Sequence, residues 1–312
     1  MNQPNELHDK FARYRQLLEL VKNLPPISMA VVHPCGGEAL QGALDAAKSG
    51  LIVPVLIGPE NKIRATAAEI GADISAYRLV AVPHSHAAAE TAVALARSGE
   101  VESIMKGSLH TDELMSAVVT KESGLRTERR LSHVFVMDVP SYPRPLLITD
   151  AAINIEPDLE DKRDIVQNAI DLARLLGITE PKVAILAAVE TVTSKLRSTL
   201  DAAALCKMAE RGQITGGILD GPLALDNAVS LASAKTKGIH SSVAGQADIL
   251  VVPNMESGNM IAKQLEYLAD AQAAGIVLGA RVPIVLTSRS DSAHSRVASC
   301  AVALLVARSK EK

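Results

Sequence analysis

Apolar and polar residues recur along this chain with two different periods. Short apolar runs, such as residues 249–252, are typical of strands buried on both faces. Longer stretches carry apolar residues at helical spacing, as do Ile165, Leu172 and Leu176, after which Gly177 ends the pattern. Strands that alternate with helices predict a parallel sheet and an α/β fold. The predicted strands are 29–32, 52–57, 79–82, 103–105, 133–139, 146–149, 183–189, 216–220, 249–252, 276–278 and 284–286, and the predicted helices are 7–22, 38–48, 62–70, 87–96, one beginning at 111, 160–176, 199–210, 260–272 and 293–307.

The length of 312 residues predicts two domains of ordinary size or one large domain. Three prolines, Pro140, Pro143 and Pro145, follow the predicted strand 133–139. Because prolines remove backbone donors and stiffen the chain, this segment is the best candidate for a crossover between domains.

A polar loop after the strand 249–252 has the features of an anion site. Residues 255–259 are predicted as the loop, and Asn259 as the cap of the helix that follows. Backbone N–H groups and the positive end of the helix dipole meet at such a helix start, and Gly258 allows another group close to the backbone. Ser257, Gly258 and Asn259 are therefore candidate binding residues, with an ordinary strand-to-helix turn as the alternative.

A second polar loop, Thr287-Ser288-Arg289-Ser290-Asp291, lies between the strand 284–286 and the helix 293–307. Ligands of open α/β sheets bind beyond the carboxyl ends of the strands, where both loops are expected. Arg289 presents a planar fork that matches phosphate oxygens, Ser288 can donate to a developing oxyanion, and Asp291 can accept a proton, with His294 as a competing base. The alternative is a helix cap beside a solvated arginine.

The third candidate segment runs from Lys106 to Thr111, again between a strand and a helix. Lys106 can neutralise a phosphate, and the alternative is a solvated loop lysine. Gly107 lies in the same loop, His110 is a secondary candidate, and Thr111 is predicted to cap the next helix.

Composition removes several classes of function. The net charge is −3 and the chain has no Trp and two Phe, so a nucleic-acid stacking surface is not expected. No apolar run approaches a membrane span, and the first residues lack the pattern of a signal peptide. Cys35, Cys206 and Cys300 give neither a disulfide framework nor a zinc spacing, so a cytoplasmic protein without a metal site is predicted.

Four separated runs carry a resemblance to a known family. They are MKGSLHTDEL (105–114), GILDGPLALDNAVS (217–230), VAGQADILVVPNMESGNM (243–260) and GARVPIVLTSRSD (279–291). In this order they resemble the phosphate acetyl/butyryltransferase family, and the similarity extends with gaps from about Met29 to Ala307. The resemblance implies reversible transfer of a short acyl group between coenzyme A and inorganic phosphate in a ternary complex. Coenzyme A is then a substrate, and no cofactor is permanently bound.

The resemblance also implies an architecture and a set of site residues. It implies two α/β domains with a cleft between them, as in isocitrate/isopropylmalate dehydrogenase-like folds, at residues 1–139 plus 283–312 and 140–282, and a homodimer. Ser288, Arg289 and Asp291 are then catalytic, and Lys106, Gly107, His110, Thr111, Ser257, Gly258 and Asn259 line the phosphate and coenzyme A cleft. In the acetyl branch the acid falls where this chain has Ser295, whereas the butyryl-like branch carries it at Asp291. The acyl chain length and the base (Asp291, His294 or water) therefore stay open.

Two other functions fit the same pattern. A metal- and nicotinamide-dependent dehydrogenase of this fold would need a cluster of Asp or His ligands, and none stands out in the sequence. A non-catalytic sensor of acyl-CoA or acyl phosphate would keep the cleft but has no need of Ser288 and Arg289. Asp150 and Asp220, which match motifs of the second domain, are expected as turn residues, and Cys35 as a small apolar residue rather than an acyl carrier.

Overall fold

A computed structural model describes residues 12–288 and 291–309 of the chain. The protein forms two compact units, each built from a mostly parallel sheet with helices, so the predicted α/β class is confirmed. The first unit comprises Leu17–Arg130 with residues 274–288 and 291–309. The second unit comprises Leu131–Ala273 with residues 12–16. The helix α1 (Ala12–Val21) contributes residues to both.

The first unit contains a sheet in the order β3-β2-β1-β4-β11-β10. All neighbours in it run parallel except β10 and β11, which are antiparallel. The short link 279–283 explains this exception, because a parallel return needs a crossover of roughly a dozen residues. The elements are β1 (Ile27–Val32), α2 (Gly37–Lys48), β2 (Ile52–Gly58), α3 (Glu60–Glu69), β3 (Arg78–Ala81), α4 (Ser85–Ser98), β4 (Ser103–Lys106), α5 (Thr111–Val119), β10 (Gln272–Leu278), β11 (Ile284–Val285) and α11 (Ala293–Ser309).

The second unit contains a sheet in the order β5-β6-β9-β7-β8. Its strands are parallel except for β5 and β6, which form an antiparallel pair. The elements are β5 (Ser132–Asp138), β6 (Leu146–Thr149), α6 (Leu159–Leu175), β7 (Lys182–Leu186), α7 (Arg197–Glu210), β8 (Ile218–Leu223), α8 (Leu225–Val229), α9 (Leu231–Thr236), β9 (Ile249–Val251) and α10 (Met255–Leu268).

The prediction of parallel sheets is confirmed for most strand pairs, and these two antiparallel pairs are the exceptions. The proline segment 139–145 joins β5 to β6 directly, without a helix. The compact units divide at residues 130/131 and 273/274. The reason is that β5 belongs with its partner β6, while β10 lies with β11.

Small apolar side chains make up much of the core of the first unit. Five of the six residues of β1 are buried, and α2 buries Ala39, Ala43 and Ala46. The helix α11 is buried continuously over residues 295–304, as expected for a helix that is surrounded by other elements. Each fully buried Ile or Leu stabilises the fold by about 1.5–3 kcal/mol, so this packing holds the strand ends in place.

None of the helices in the described part of the chain combines the length and the apolar character that crossing a bilayer requires.

Candidate functional site

The candidate residues of the first unit follow three neighbouring strands. β4 pairs parallel with β1 on one side and with β11 on the other, so that Lys106 is opposite Val32 and Met105 is opposite Val285. Parallel strands end at the same edge of a sheet. The segments that follow β1, β4 and β11 therefore begin side by side, although they are far apart in sequence.

Backbone hydrogen bonds hold the first two of these segments together. The Gly107 N–H donates to the Val32 carbonyl and the Ser108 N–H to the His33 carbonyl, each at 2.9 Å. A Cβ atom on Gly107 would lie 2.3 Å from the Val32 oxygen and 2.8 Å from the His33 oxygen. Only glycine fits there, because the neighbouring backbone approaches too closely for any side chain.

Lys106 is the last residue of β4 and is buried, with 5% of its surface exposed. Its Nζ donates to the Leu109 carbonyl at 3.2 Å. The alternative of a solvated loop lysine is therefore wrong. A buried ammonium group at the end of a strand is a strong local source of positive charge, since little water screens it.

The helix α5 begins one residue earlier than a Thr111 cap requires. His110 is its N-cap and Thr111 is its first helical residue, so the prediction that Thr111 caps the helix was wrong. The His110 N–H donates to Glu113 Oε1 at 3.4 Å, so a side chain in the first turn of α5 accepts from the N–H of the capping residue. His110 and Thr111 thus lie at the positive end of the α5 dipole, where an anion is stabilised.

The segment after β11 is braced through Ser288. Its N–H donates to Asp291 Oδ2 at 2.7 Å, and the Asp291 N–H donates to the Ser288 carbonyl at 3.3 Å. Ser292, rather than Asp291, accepts at the start of α11, from the Ser295 N–H at 3.2 Å. His294, the competing base, is exposed on the first turn of α11. Arg289 and Ser290 lie outside the described residues.

Arg296 belongs to the same group and was missed from the sequence. It lies in α11 with 2% of its surface exposed, and its Nη1 donates to Thr287 Oγ1 at 2.8 Å. Its Nη2 donates to the Ser288 carbonyl, also at 2.8 Å. An arginine inside an otherwise small and apolar helix was the available signal, because buried arginines are rare unless they are paired.

The second unit has its own group at the ends of β6 and β9. These strands are parallel, with Thr149 opposite Val251, so the segments that follow them begin at the same edge. Residues 255–259 were predicted as a polar loop, with Asn259 as the cap of the helix that follows. That prediction was wrong, because α10 already begins at Met255. Asn254 is its N-cap, and the Asn254 side chain accepts from the Ser257 N–H at 3.1 Å. Ser257, Gly258 and Asn259 thus lie within the first two turns of α10 rather than in a loop.

Gly258 and Asn259 contact the segment that follows β6. A Cβ atom on Gly258 would lie 2.9 Å from the Asp150 carbonyl oxygen and 2.8 Å from a methyl of Val252. Asn259 Nδ2 donates to the Ala151 carbonyl at 3.3 Å. The close approach predicted at Gly258 therefore exists, and the approaching group is the backbone of Asp150.

Asp150 is a buried carboxylate that organises this segment. Its Oδ1 accepts from the N–H groups of Ala152 at 2.9 Å and Ile153 at 3.0 Å. Its Oδ2 accepts from the Asn154 backbone at 3.2 Å and side chain at 2.5 Å. Burial raises the pKa of the Asp150 carboxyl, and the hydrogen bonds it accepts oppose the rise because they favour the ionised form.

Asp220 was expected as a turn residue, and that expectation was wrong, because Asp220 lies within a strand, β8. Its Oδ1 accepts from the N–H of the next residue, Gly221, at 2.8 Å. No group of three or more metal-binding side chains occurs in the part of the chain that the structure describes.

Parallel strands that end in buried cations and helix N-termini are typical of α/β enzymes with anionic substrates. The sequence profile of the family described as Phosphate acetyl/butaryl transferase matches residues 84–304. The chain belongs to this family, and the resemblance drawn from its four motifs is confirmed.

Relatives and a solved structure agree with this assignment. The chain is 62% identical over 296 residues to the phosphate acetyltransferase of Rhizobium meliloti, covering 95% of this chain and 94% of that protein. It is 41% identical over 297 residues to the phosphate butyryltransferase of Clostridium acetobutylicum, covering 95% and 99%. The crystal structure of a branched-chain phosphotransacylase from Enterococcus faecalis V583 matches with a TM-score of 0.78 at 30% identity, covering 90% of this chain and 99% of that one.

Asp150→Asn is expected to lower the free energy of unfolding by about 2–3 kcal/mol. Each oxygen of Asp150 accepts only from N–H groups, so either orientation of the amide places an NH₂ group against a donor. Urea denaturation measures the change. Asp220→Asn is the matched control and should change stability far less, since Asp220 accepts a single local bond. An unchanged unfolding midpoint in Asp150→Asn would show that other contacts hold the segment.

Proposed function

We propose that this chain is a phosphate acetyltransferase, which moves an acetyl group between coenzyme A and inorganic phosphate. The observation that supports it best is 62% identity over nearly the whole chain to a phosphate acetyltransferase, against 41% to a phosphate butyryltransferase. The broader activity, transfer of a short acyl group to phosphate, follows from membership of the family. Coenzyme A is a substrate in this reaction, and no permanently bound cofactor is required by it.

The proposed reaction is a direct transfer. A phosphate oxygen attacks the thioester carbonyl, the C–S bond breaks, and the departing coenzyme A thiolate takes a proton. In the reverse direction the thiolate attacks the acyl phosphate and phosphate leaves. Holding both substrates beside one carbonyl supplies much of the rate, and donors aimed at the developing oxyanion supply more.

Each candidate residue has a proposed role in this reaction. Lys106 and the start of α5, with Gly107, His110 and Thr111, stabilise phosphate charge from one side of the first unit's sheet edge. The start of α10, with Ser257, Gly258 and Asn259, offers a second helix N-terminus for an anion. We assign Ser288 and Arg289 to the oxyanion and the phosphate, with Asp291 as the brace of Ser288 and a candidate proton acceptor.

The state of the cysteines supports direct transfer over a covalent acyl-cysteine. Burial raises the pKa of the Cys35 thiol, although it follows β1 near a helix start. Burial likewise raises the pKa of Cys206 and of Cys300 to about 12. A thiol with a raised pKa is a poor nucleophile at neutral pH. All three thiols are also free, as suits the cytoplasmic location we propose.

An assay of free thiol release tests the function and the acyl group together. Purified protein is mixed with inorganic phosphate and either acetyl-CoA or butyryl-CoA. We expect release with both, and kcat/KM at least about tenfold higher for acetyl-CoA, because each methylene is worth about 1–3 kcal/mol in a fitted pocket. No phosphate-dependent release would exclude the transferase. A preference for butyryl-CoA would exclude the acetyl assignment alone.

Arg289→Ala is expected to lower turnover by about 10²-fold, equivalent to roughly 2.7 kcal/mol, and to raise the phosphate KM less steeply. The reason is that charge on the acyl carbonyl grows only in the transition state. Arg289→Lys should recover part of the rate, since a point charge lacks the planar fork.

Two further variants complete the Arg289 series. Ser288→Ala should lose turnover without loss of stability, and Asp291→Asn should alter the pH profile if Asp291 accepts the proton. An unchanged profile would transfer that role to His294 or water. Turnover near that of the wild type in Arg289→Ala would show that residues 288–291 take no part in the reaction.

We propose in addition that the protein is a homodimer that pairs through α10. Met260, Tyr267 and Leu268 expose 65%, 68% and 80% of their surfaces on this helix. Their spacing of seven and eight residues places them on one face, and exposed apolar patches of this kind mark interfaces. In a two-fold dimer the same face meets itself. Sedimentation at micromolar concentration should show a dimer that Leu268→Glu weakens; a monomeric wild type would refute the pairing.

A further inference from the structure

We propose that Arg296 is a positioning residue, which holds Ser288 in place and puts a buried positive charge next to the Ser288 backbone. The inference rests on the proposed function for its catalytic consequence, and on geometry alone for the positioning. None of the four sequence runs that carry the family resemblance includes Arg296.

The geometry shows Ser288 fixed through both of its backbone polar groups. Its carbonyl accepts from Arg296 Nη2 at 2.8 Å, while its N–H donates to Asp291 Oδ2 at 2.7 Å. The second arm of the guanidinium, Nη1, donates to Thr287 Oγ1 at 2.8 Å. One planar group on α11 therefore sets the orientation of two successive residues at the end of β11. The Ser288 hydroxyl depends on this, because its direction follows from the backbone that carries it.

The charge of Arg296 is costly where it lies. Burying a guanidinium costs several kcal/mol unless it is compensated. Within the described part of the chain Arg296 forms no ion pair with a carboxylate, and its buried Nε has no hydrogen-bond partner. Burial lowers the pKa of Arg296, and the acidic side chains of Asp291 and Glu38 oppose that effect. Lys162, another buried cation, contrasts with it, since Lys162 Nζ lies 2.6 Å from Asp201 Oδ2.

A second cost appears in the neighbouring helix α2. Gly42 lies within α2, and a Cβ atom there would be 2.4 Å from Arg296 Cδ and 2.9 Å from Arg296 Cβ. Glycine inside a helix is less stable than alanine, because it loses more backbone freedom on folding. The chain thus gives up helix stability to make room for an unpaired buried charge. An apolar residue would pack there without either cost, so stability does not explain the arginine, whereas a role at Ser288 does.

The test replaces Arg296 with methionine, which keeps an unbranched side chain and removes the charge and both hydrogen bonds. We expect the thermal midpoint of Arg296→Met to stay unchanged or to rise, because removing an uncompensated buried charge offsets the lost bonds. We expect kcat to fall about tenfold or more and the phosphate KM to rise. In Arg296→Lys the phosphate KM should lie between those of the wild type and Arg296→Met, because the charge is kept. Its kcat should stay low, since a lysine cannot donate to both Thr287 and Ser288 in the same geometry.

Three measurements separate positioning from a merely structural role. Lys162→Met is the control, and it should lower the thermal midpoint while leaving kcat and KM of the folded enzyme unchanged. In the Ser288→Ala background, Arg296→Met should cost much less in kcat than it does alone, because both changes remove one function. Hydrogen exchange of the segment 284–296 should be faster in Arg296→Met than in the wild type.

The hydrogen-exchange result is independent of any activity, so it tests the positioning even if the wild type fails the thiol-release assay. Unchanged exchange in both Arg296→Met and Arg296→Lys would overturn the proposal. Faster exchange with wild-type kinetics, or additive losses with Ser288→Ala, would overturn its functional part. If Arg296→Met does not fold, Arg296→Lys decides through the same kinetics and exchange.

Discussion

Parallel pairing of β4 with β1 and with β11 is the constraint on which the first unit's candidate site depends. The pairing brings together chain segments that follow Val32, Lys106 and Val285, separated by up to about 250 residues. Local sequence cannot bring them together, whereas the register of the sheet does. Because the strands are buried on both faces, a slip by one residue would disrupt packing on both sides. The positions of the segments that follow these strands therefore depend on the packing of the core.

Close backbone approach is the second device that both units share. Gly107 meets the carbonyls of Val32 and His33, and Gly258 meets the carbonyl of Asp150. In each unit the approach joins a segment that follows one strand to a segment that follows its neighbour. A glycine there has little to do with a left-handed backbone, since neither residue has a positive φ. What it provides is a shorter distance between two backbones, and hence N–H groups and helix starts that are fixed relative to the strands.

The sequence predicted the parts of this arrangement that depend on periodicity. Buried strands and amphipathic helices leave period-specific patterns, and most predicted elements match the observed ones to within a few residues. Helix starts were harder to predict, because Asn254 and Asn259 are equally good caps by residue type. The structure shows that Asn254 caps α10, whereas Asn259 donates to the Ala151 carbonyl. The antiparallel pairs β5–β6 and β10–β11 were missed since their short connections resemble loops between parallel elements. The catalytic assignments came from the resemblance, and none of the strand or helix patterns would have supplied them.

Arg296 shows why a buried charge is difficult to predict from sequence patterns. In the sequence it sits among Ala, Val, Leu and Ser in a helix whose burial is plain, and a charged residue there looks like the exposed edge of the helix. Only the structure shows that α11 is buried over residues 295–304, so the arginine has no water to face. Folded proteins are stable by only about 5–15 kcal/mol, and an uncompensated buried charge takes a sizeable part of that margin. Local rules are broken in this way chiefly where function requires a group to be held in one orientation, at a cost that the rest of the core offsets. The same reasoning distinguishes Arg296 from Lys162: the lysine has its own carboxylate, and the arginine has the backbone of Ser288.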